Sequence, residues 1–297
     1  MADHTHPTED HHFTSTMTLA QMGVSSVPEC YILPPADRPT LEQTPPFLFS
    51  ALPVIDLSSL ENPVLRPQVI EQVHMACKEF GGFQVINHGI PASLTDQALD
   101  VAADFFDMPN DTKMQLASTN VHEPVRYGTK PPSYKKKMGN YAKALLLLHT
   151  KLIQIVFESL GLRSDYLQDD VEQGSQVIAV NCYPTCPEPN LALGLPRHSD
   201  YGLLTIILQD QQGLEVMDRN EKWQPVPVIK GALVVQVGDQ MEVLSNGRYK
   251  SIVHRATVNL EKRRLSIASL HSLAINRKVT PAPGLVDERH PFISEAK

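Results

Sequence analysis

The chain has 297 residues, of which 42% are hydrophobic and 20% charged, the balance of a soluble globular protein rather than of a disordered or collagen-like chain. A net charge of -7 and a pI near 5.9 argue against a surface for nucleic acid or anionic lipid. Four cysteines (Cys30, Cys77, Cys182 and Cys186) are no disulfide framework at this length, and Cys182 and Cys186 are misspaced for a CxxC site, so the expected compartment is reducing.

Residues 1–50 are rich in His, Pro, Thr and Ser and show little periodicity, which predicts a mobile polar tail; His4, His6, His11 and His12 belong to it. The N-terminus has no basic stretch followed by an apolar one. It carries Asp3, Glu9 and Asp10 where an organellar transit peptide would avoid acids, so the cytoplasm is expected. Order is predicted to begin with a short strand at "LPVIDLSSL". Val69, Val73, Cys77 and Phe80 then fall at helical spacing, Gly81-Gly82 stops that helix, and "FQVIN" follows as a strand. A second helix presents Leu94, Ala98, Ala102 and Phe105 on one face and ends at Pro109. A third presents Leu145, Leu148, Leu152, Val156 and Leu160. Its run "ALLLLHTKLIQIVFESLGL" is broken by His149, Lys151, Gln154 and Glu158, which excludes a membrane span.

After about residue 176 the texture changes to short strands: "QVIAVNCY", "LLTIILQ", "GLEVMD", "ALVVQVG", "MEVLSNGRYKSIVHR" and "RLSIASL". Asn246-Gly247 lies between two strand-like runs and predicts a hairpin. Many short strands with turn residues between them suggest a closed barrel or jelly roll. The chain thus divides into a tail (1–50), an N-terminal region of helices and short strands (51–130), a connecting helix (131–175), a β core (176–275) and a C-terminal segment (276–297).

The chemistry concentrates in "LGLPRHSDYGLLTIILQD". A histidine and an aspartate at the head of an apolar strand are solvated, paired with each other, or bound to a metal. On a strand, His198 and Asp200 share a face, although the H-x-D tripeptide alone is a weak motif. His254 ends the predicted hairpin and supplies a third group. Two histidines and a carboxylate on strands can form the facial triad of a non-haem Fe(II) oxygenase with three positions open, yet the same N, N, O set also tolerates other divalent ions. Ten residues beyond His254, Arg264 and Ser266 share a strand face. An arginine aimed into a β core needs a partner, and a carboxylate-bearing ligand would satisfy its fork. Asn181 and Tyr183 share a face of another strand and could hold the same dicarboxylate.

H-x-D, a distant His and R-x-S together resemble the plant-type 2-oxoglutarate- and Fe(II)-dependent dioxygenases, the family of flavonoid, hormone and alkaloid oxygenases of secondary metabolism. The similarity extends to "LPVIDLS", "ACKEFGGFQVINHGI", "FFDMP", "NCYPTCPEPNLALGLPRHSD", "ALVVQVGDQMEVLSNGRYKSIVHRA" and "RRLSIASLHSL", in family order over most of residues 52–273. The resemblance implies a mixed α and β fold with a double-stranded β-helix (jelly-roll) core flanked by N-terminal helices. It implies that His198, Asp200 and His254 hold Fe(II), that Arg264 and Ser266 bind the far carboxylate of 2-oxoglutarate, and that Tyr183 and Asn181 lie beside it. The reaction so implied consumes O2 and 2-oxoglutarate, releases succinate and CO2, and oxidises a substrate C–H bond; no nucleophile motif is present to suggest another chemistry. No partner beyond a small-molecule substrate is expected: no nucleic acid, no membrane, and a monomer.

Alternation extends the pocket to Ala268, Leu270 and Ser272 beyond Arg264 and Ser266, and to Val177 and Ala179 beyond Asn181 and Tyr183. Small or apolar positions such as Ala179, Leu270 and Ser272 suit a largely apolar substrate, for example a phenolic or flavonoid-like metabolite. His88 reads as a hydrogen-bonded structural histidine, Asp239 as support for a turn, and Trp223 as packing. Two features depart from the family pattern. The segment that usually carries a W-[RK]-D motif and helps wall the pocket is absent after Thr129, and the chain stops at Lys297 where relatives continue. Two functions follow: a small-molecule dioxygenase, or a truncated, non-catalytic or uncoupled binding protein that keeps the iron site.

Overall fold

The computed structural model describes residues 15–39, 52–109, 111–113, 132–288 and 290–292. Its first stretch departs from the expected polar tail. Thr16–Gln21 form a short helix, α1, whose cap Ser15 accepts from the Thr18 N–H, and 3-10 turns follow at Glu29–Tyr31 and Pro35–Asp37. The Leu33 N–H donates to the Leu191 carbonyl and the Val27 N–H to the Glu188 carboxylate at 2.8 Å. Main-chain bonds to a distant part of the molecule hold this stretch, and a search for apolar periodicity does not detect such bonds. His4, His6, His11 and His12 lie outside the described residues, as does the junction at Thr129.

Ten strands follow among the described residues: β1 (Val54–Asp56), β2 (Gly82–Ile86), β3 (Ser175–Tyr183), β4 (Leu193–His198), β5 (Leu204–Gln209), β6 (Leu214–Met217), β7 (Trp223–Pro225), β8 (Leu233–Val237), β9 (His254–Thr257) and β10 (Arg264–Ser272). They make a six-stranded sheet in the order β1-β2-β8-β5-β10-β3 and a four-stranded sheet in the order β4-β9-β6-β7. Among the described residues only β1 and β2 pair in parallel. From β3 onward the chain alternates between the two sheets except at the β6–β7 hairpin, which stays in the small sheet; this is the winding of a double-stranded β-helix. The helices that precede or interrupt it are α2 (Arg66–Glu79), α3 (Ala92–Asp107), α4 (Pro132–Ser159), α5 (Gln168–Glu172) and α6 (Asp239–Leu244).

Period-two alternation gives the large sheet two apolar faces. Ile206, Leu208, Val235 and Ile267 point outward against Val73 and Cys77 of α2, Ala98 and Ala102 of α3, and Leu145, Leu152 and Val156 of α4. Ile207 and Val234 point inward and meet Leu214 and Val216 of the small sheet together with Val226 and Ile252. The apolar stripes foreseen for the three helices are thus core packing, with one exception. Phe80, at the C-cap of the helix, is 47% exposed. Among the described residues no helix is long and apolar enough to cross a membrane.

The hairpin expected at Asn246-Gly247 is not formed. Asp239–Leu244 are helical, with Met241 and Leu244 buried, and the two residues stand past that helix's C-terminus with φ of 53° and 71°. The Gly247 N–H donates to the Glu242 carbonyl at 2.9 Å, and the Asn246 amide donates toward the carbonyls of Leu285, His290 and Pro291. Asn-Gly supplies left-handed backbone, which a helix C-terminus needs as much as a type I′ turn does.

Candidate metal centre

His198 ends β4, His254 begins β9, and the two are cross-strand partners. Asp200 joins them from the turn after β4 rather than from the strand itself, so the shared strand face inferred from i, i+2 spacing is not what places it. The Asp239 N–H holds that turn by donating to the Asp200 carbonyl at 2.8 Å, and the Gly238 N–H donates to the Leu203 carbonyl at 3.0 Å. The start of α6 therefore clamps the loop that presents the carboxylate, which extends the turn-support role expected of Asp239. One ligand atom from each of the three side chains lies within 4.8 Å of the other two.

The donor set fits a divalent ion. His198 Nδ1–H donates to the Pro196 carbonyl at 2.8 Å and His254 Nδ1–H to the Ile252 carbonyl at 3.1 Å. Both Nε2 lone pairs are left to face inward, the tautomer a metal requires. Their distances to Asp200 Oδ1, 3.7 and 3.9 Å, are too long for hydrogen bonds. Burial pushes the His254 pKa down against the opposing pull of Asp200, and His198 adds to the lowering, a direction that favours the neutral ring a metal needs.

Arg264 opens β10 and lies on the inner face, in register with Tyr183 of β3; Ser266 is in register with Asn181. The guanidinium carbon is 5.1 Å from the Tyr183 ring centroid. This cation is 3% exposed, and burial lowers its pKa. It donates to two neutral acceptors, Gln209 Oε1 at 3.0 Å from Nη2 and the Gln211 carbonyl at 3.1 Å from Nε, while the Tyr183 side chain and the Asp210 carboxylate also favour its charged form. Gly213, at φ of 152°, lies where an added Cβ would stand 2.7 Å from Arg264 Cδ, so the absence of a side chain there makes room for the arginine. Sequence reasoning missed Gln209 and Gly213. The alternation Thr205, Ile207, Gln209 along β5 was the available signal for the first.

Along the same inner face, Ala179 is in register with Ala268 and Val177 with Leu270. Val177 is 46% exposed, and Ala179, Ala268 and Leu270 are half-buried, while the outward-facing Ile267, Ser269 and His271 are fully covered by helices. The inner face therefore opens to solvent at this end of β10. Ser272 is buried at the rim with its hydroxyl 2.7 Å from that of Ser175. At the other end a cleft of about 780 Å³ runs beside Asn181 and Tyr183 under α1 and the Glu29–Tyr31 turn. His88 is structural: Nε2–H donates to the Gly231 carbonyl and Nδ1 accepts from the Ile90 N–H. Trp223 packs against Arg255, whose guanidinium carbon is 4.2 Å from the ring centroid.

A jelly roll with two histidines and a carboxylate converging between its sheets, beside a buried arginine, defines the class of non-haem metal enzymes. Residues 174–272 match the 2OG-Fe(II) oxygenase superfamily, and residues 52–147 match the non-haem dioxygenase N-terminal region named for morphine synthesis. The chain is 40% identical over 291 residues to flavanone 3-dioxygenase 3 of Oryza sativa, covering 87% of this chain and 88% of that protein. It is 36% identical to the protein DOWNY MILDEW RESISTANCE 6 of Arabidopsis thaliana, covering 88% and 84% respectively. Among solved structures, JOX2 in complex with 2OG, Fe and JA superposes with a TM-score of 0.82 at 29% identity, over 94% of this chain and 89% of that one. The chain belongs to the 2-oxoglutarate- and Fe(II)-dependent dioxygenases, and its cofactors are Fe(II), 2-oxoglutarate and O2.

Proposed function

We propose that this dioxygenase hydroxylates a small, largely apolar aromatic metabolite of phenolic or flavonoid-like type. In this reading His198, Asp200 and His254 hold the iron, and Arg264, Ser266, Tyr183 and Asn181 hold 2-oxoglutarate. Ala179 and Leu270 face the substrate at the open end of the barrel, with Ser272 at its rim. The observation that carries the co-substrate assignment is Arg264: a buried guanidinium held by neutral acceptors calls for an anion from outside the chain. The half-buried apolar strip at Ala179, Ala268 and Leu270 supports an apolar substrate. The relatives named for flavanone oxidation share that preference in name.

Bound iron and 2-oxoglutarate supply the oxidation, in which O2 is consumed and the keto acid leaves as succinate and CO2. The chain's own residues bind and orient. Arg264 and Ser266 would hold the outer carboxylate of the keto acid, with His198, Asp200 and His254 left to hold the iron. The Pro196 and Ile252 carbonyls keep both imidazoles turned with Nε2 inward. Ile207, Leu214, Val216 and Val234 keep the space between the sheets dry. Measuring succinate and oxidised product together across a panel of phenolic compounds tests the proposal. One product per succinate with at least one phenolic is expected; succinate release that no phenolic stimulates would refute the substrate class.

A further inference from the structure

Arg264 Nη2 donates to Gln209 Oε1 at 3.0 Å, and this contact sets the rotation of the Gln209 amide. With Oε1 turned to the guanidinium, Nε2 faces away from it. That Nε2 is buried, in a residue 8% exposed, and has no hydrogen-bond partner among the described residues. A buried N–H without an acceptor is costly enough that native structures almost always satisfy it. Gln209 is also in direct register with Ser266, as Ser266 is with Asn181, so the three form one row across β5, β10 and β3 on the inner face. Arg264 and Tyr183 are the next pair along. The orphan donor therefore lies on the face that carries the buried cation.

We infer that Gln209 is a specificity-determining residue for the co-substrate: Oε1 holds Arg264, and Nε2 donates to the outer carboxylate of the dicarboxylate keto acid seated against Arg264 and Ser266. The inference rests on the reading of Arg264 as the carboxylate site and goes beyond it by assigning the third donor. The chemistry selects the residue type. This position must accept from a guanidinium and donate to an anion without adding charge, and an amide does all three. Glutamate would accept equally well, but it would neutralise Arg264 and repel the incoming carboxylate. Asp210 adds an electrostatic pull on Arg264, while its Oδ1 is engaged by the Leu265 N–H at 2.7 Å.

The test is an anaerobic titration of Fe(II)-loaded protein, following the absorption band of the keto acid on iron. Two probes are compared: 2-oxoglutarate, and 2-oxopentanoate, which has the same carbon chain without the outer carboxylate. Gln209→Leu is expected to raise the 2-oxoglutarate midpoint on the order of 10-fold, the loss of one charge-assisted hydrogen bond. Gln209→Glu is expected to raise it on the order of 100-fold or more, since it also cancels the cation. Neither should move the 2-oxopentanoate midpoint by more than about 2-fold, which shows that fold and iron site are intact. Should Gln209→Glu fail to load iron, Gln209→Leu decides. A 2-oxoglutarate midpoint within about 3-fold of the parent in the variant that loads iron, with the midpoint lost in Arg264→Met, overturns the role of Gln209 alone. An unchanged midpoint in Arg264→Met overturns the carboxylate site and this inference with it.

Discussion

His149 of α4 lies flat on His271 of β10, with ring centroids 3.9 Å apart and planes 2° from parallel. Burial pushes the His271 pKa down to about 4; burial, and then repulsion from His271, pushes that of His149 well below 6.5. Both rings are therefore neutral in the folded protein at pH values where the unfolded chain would protonate them. The unfolded state binds more protons below about pH 6.5, so stability rises with pH across this window and is lost as pH falls toward the folded values. For an imidazole shifted this far, the loss between about pH 7 and pH 5 is about 2 kcal/mol. Replacing His149 isolates one such term, because neither of its ring nitrogens has a hydrogen-bond partner among the described residues. His149→Phe keeps an aromatic ring on His271 and removes an unsatisfied buried donor and acceptor. Stability should rise by about 1–3 kcal/mol near neutral pH, and the loss on going to about pH 5 should shrink by about 2 kcal/mol. Urea unfolding of the metal-free protein, followed by far-ultraviolet circular dichroism at both pH values, measures both effects. Comparison with the parent cancels the titrations the two chains share. A lower midpoint at neutral pH, or an unchanged pH dependence, would refute the reasoning.

Three further outcomes are expected. Asp200→Ala should abolish Fe(II) retention in equilibrium dialysis, because two neutral imidazoles leave the dication uncompensated; iron held as tightly as in the parent would remove Asp200 from the ligand set. Arg264→Lys keeps the charge but loses the fork, so 2-oxoglutarate affinity should fall by about 1.5–3 kcal/mol in the anaerobic titration. Gly213→Ala combines a left-handed φ with a Cβ placed 2.7 Å from Arg264 Cδ, so it should lower stability by about 1–3 kcal/mol and weaken 2-oxoglutarate binding as the arginine shifts. A thermal midpoint and a titration equal to the parent's would show that the arginine has room to spare.

Local pattern and motif order determined much of this protein. The helix stripes at Val69, Val73 and Cys77, at Ala98 and Ala102, and at Leu145, Leu152 and Val156 were legible because burial on one side of a helix imposes a period of 3.6 on the residues themselves. That Arg264 and Ser266 share one face of their strand, and Asn181 and Tyr183 one face of theirs, was legible because strand alternation has a period of two; that the two strands pair, Arg264 with Tyr183 and Ser266 with Asn181, came from the structure. His198, Asp200 and His254 could be named as a set from residue type and order. What brings them together could not. Asp200 is delivered by a turn that α6 clamps, and α6 was hidden behind an Asn-Gly pair whose left-handed backbone serves a hairpin and a helix end equally. The docking of residues 15–39 depends on hydrogen bonds to residues more than 150 positions away, which no window of sequence contains. Gln209 became visible only once its carbonyl oxygen was seen on Arg264 and its Nε2 was seen buried beside it with no acceptor. Residue types set what each side chain can donate, accept or bury, but which groups are left unsatisfied depends on every neighbour at once, and only the tertiary structure supplies those neighbours.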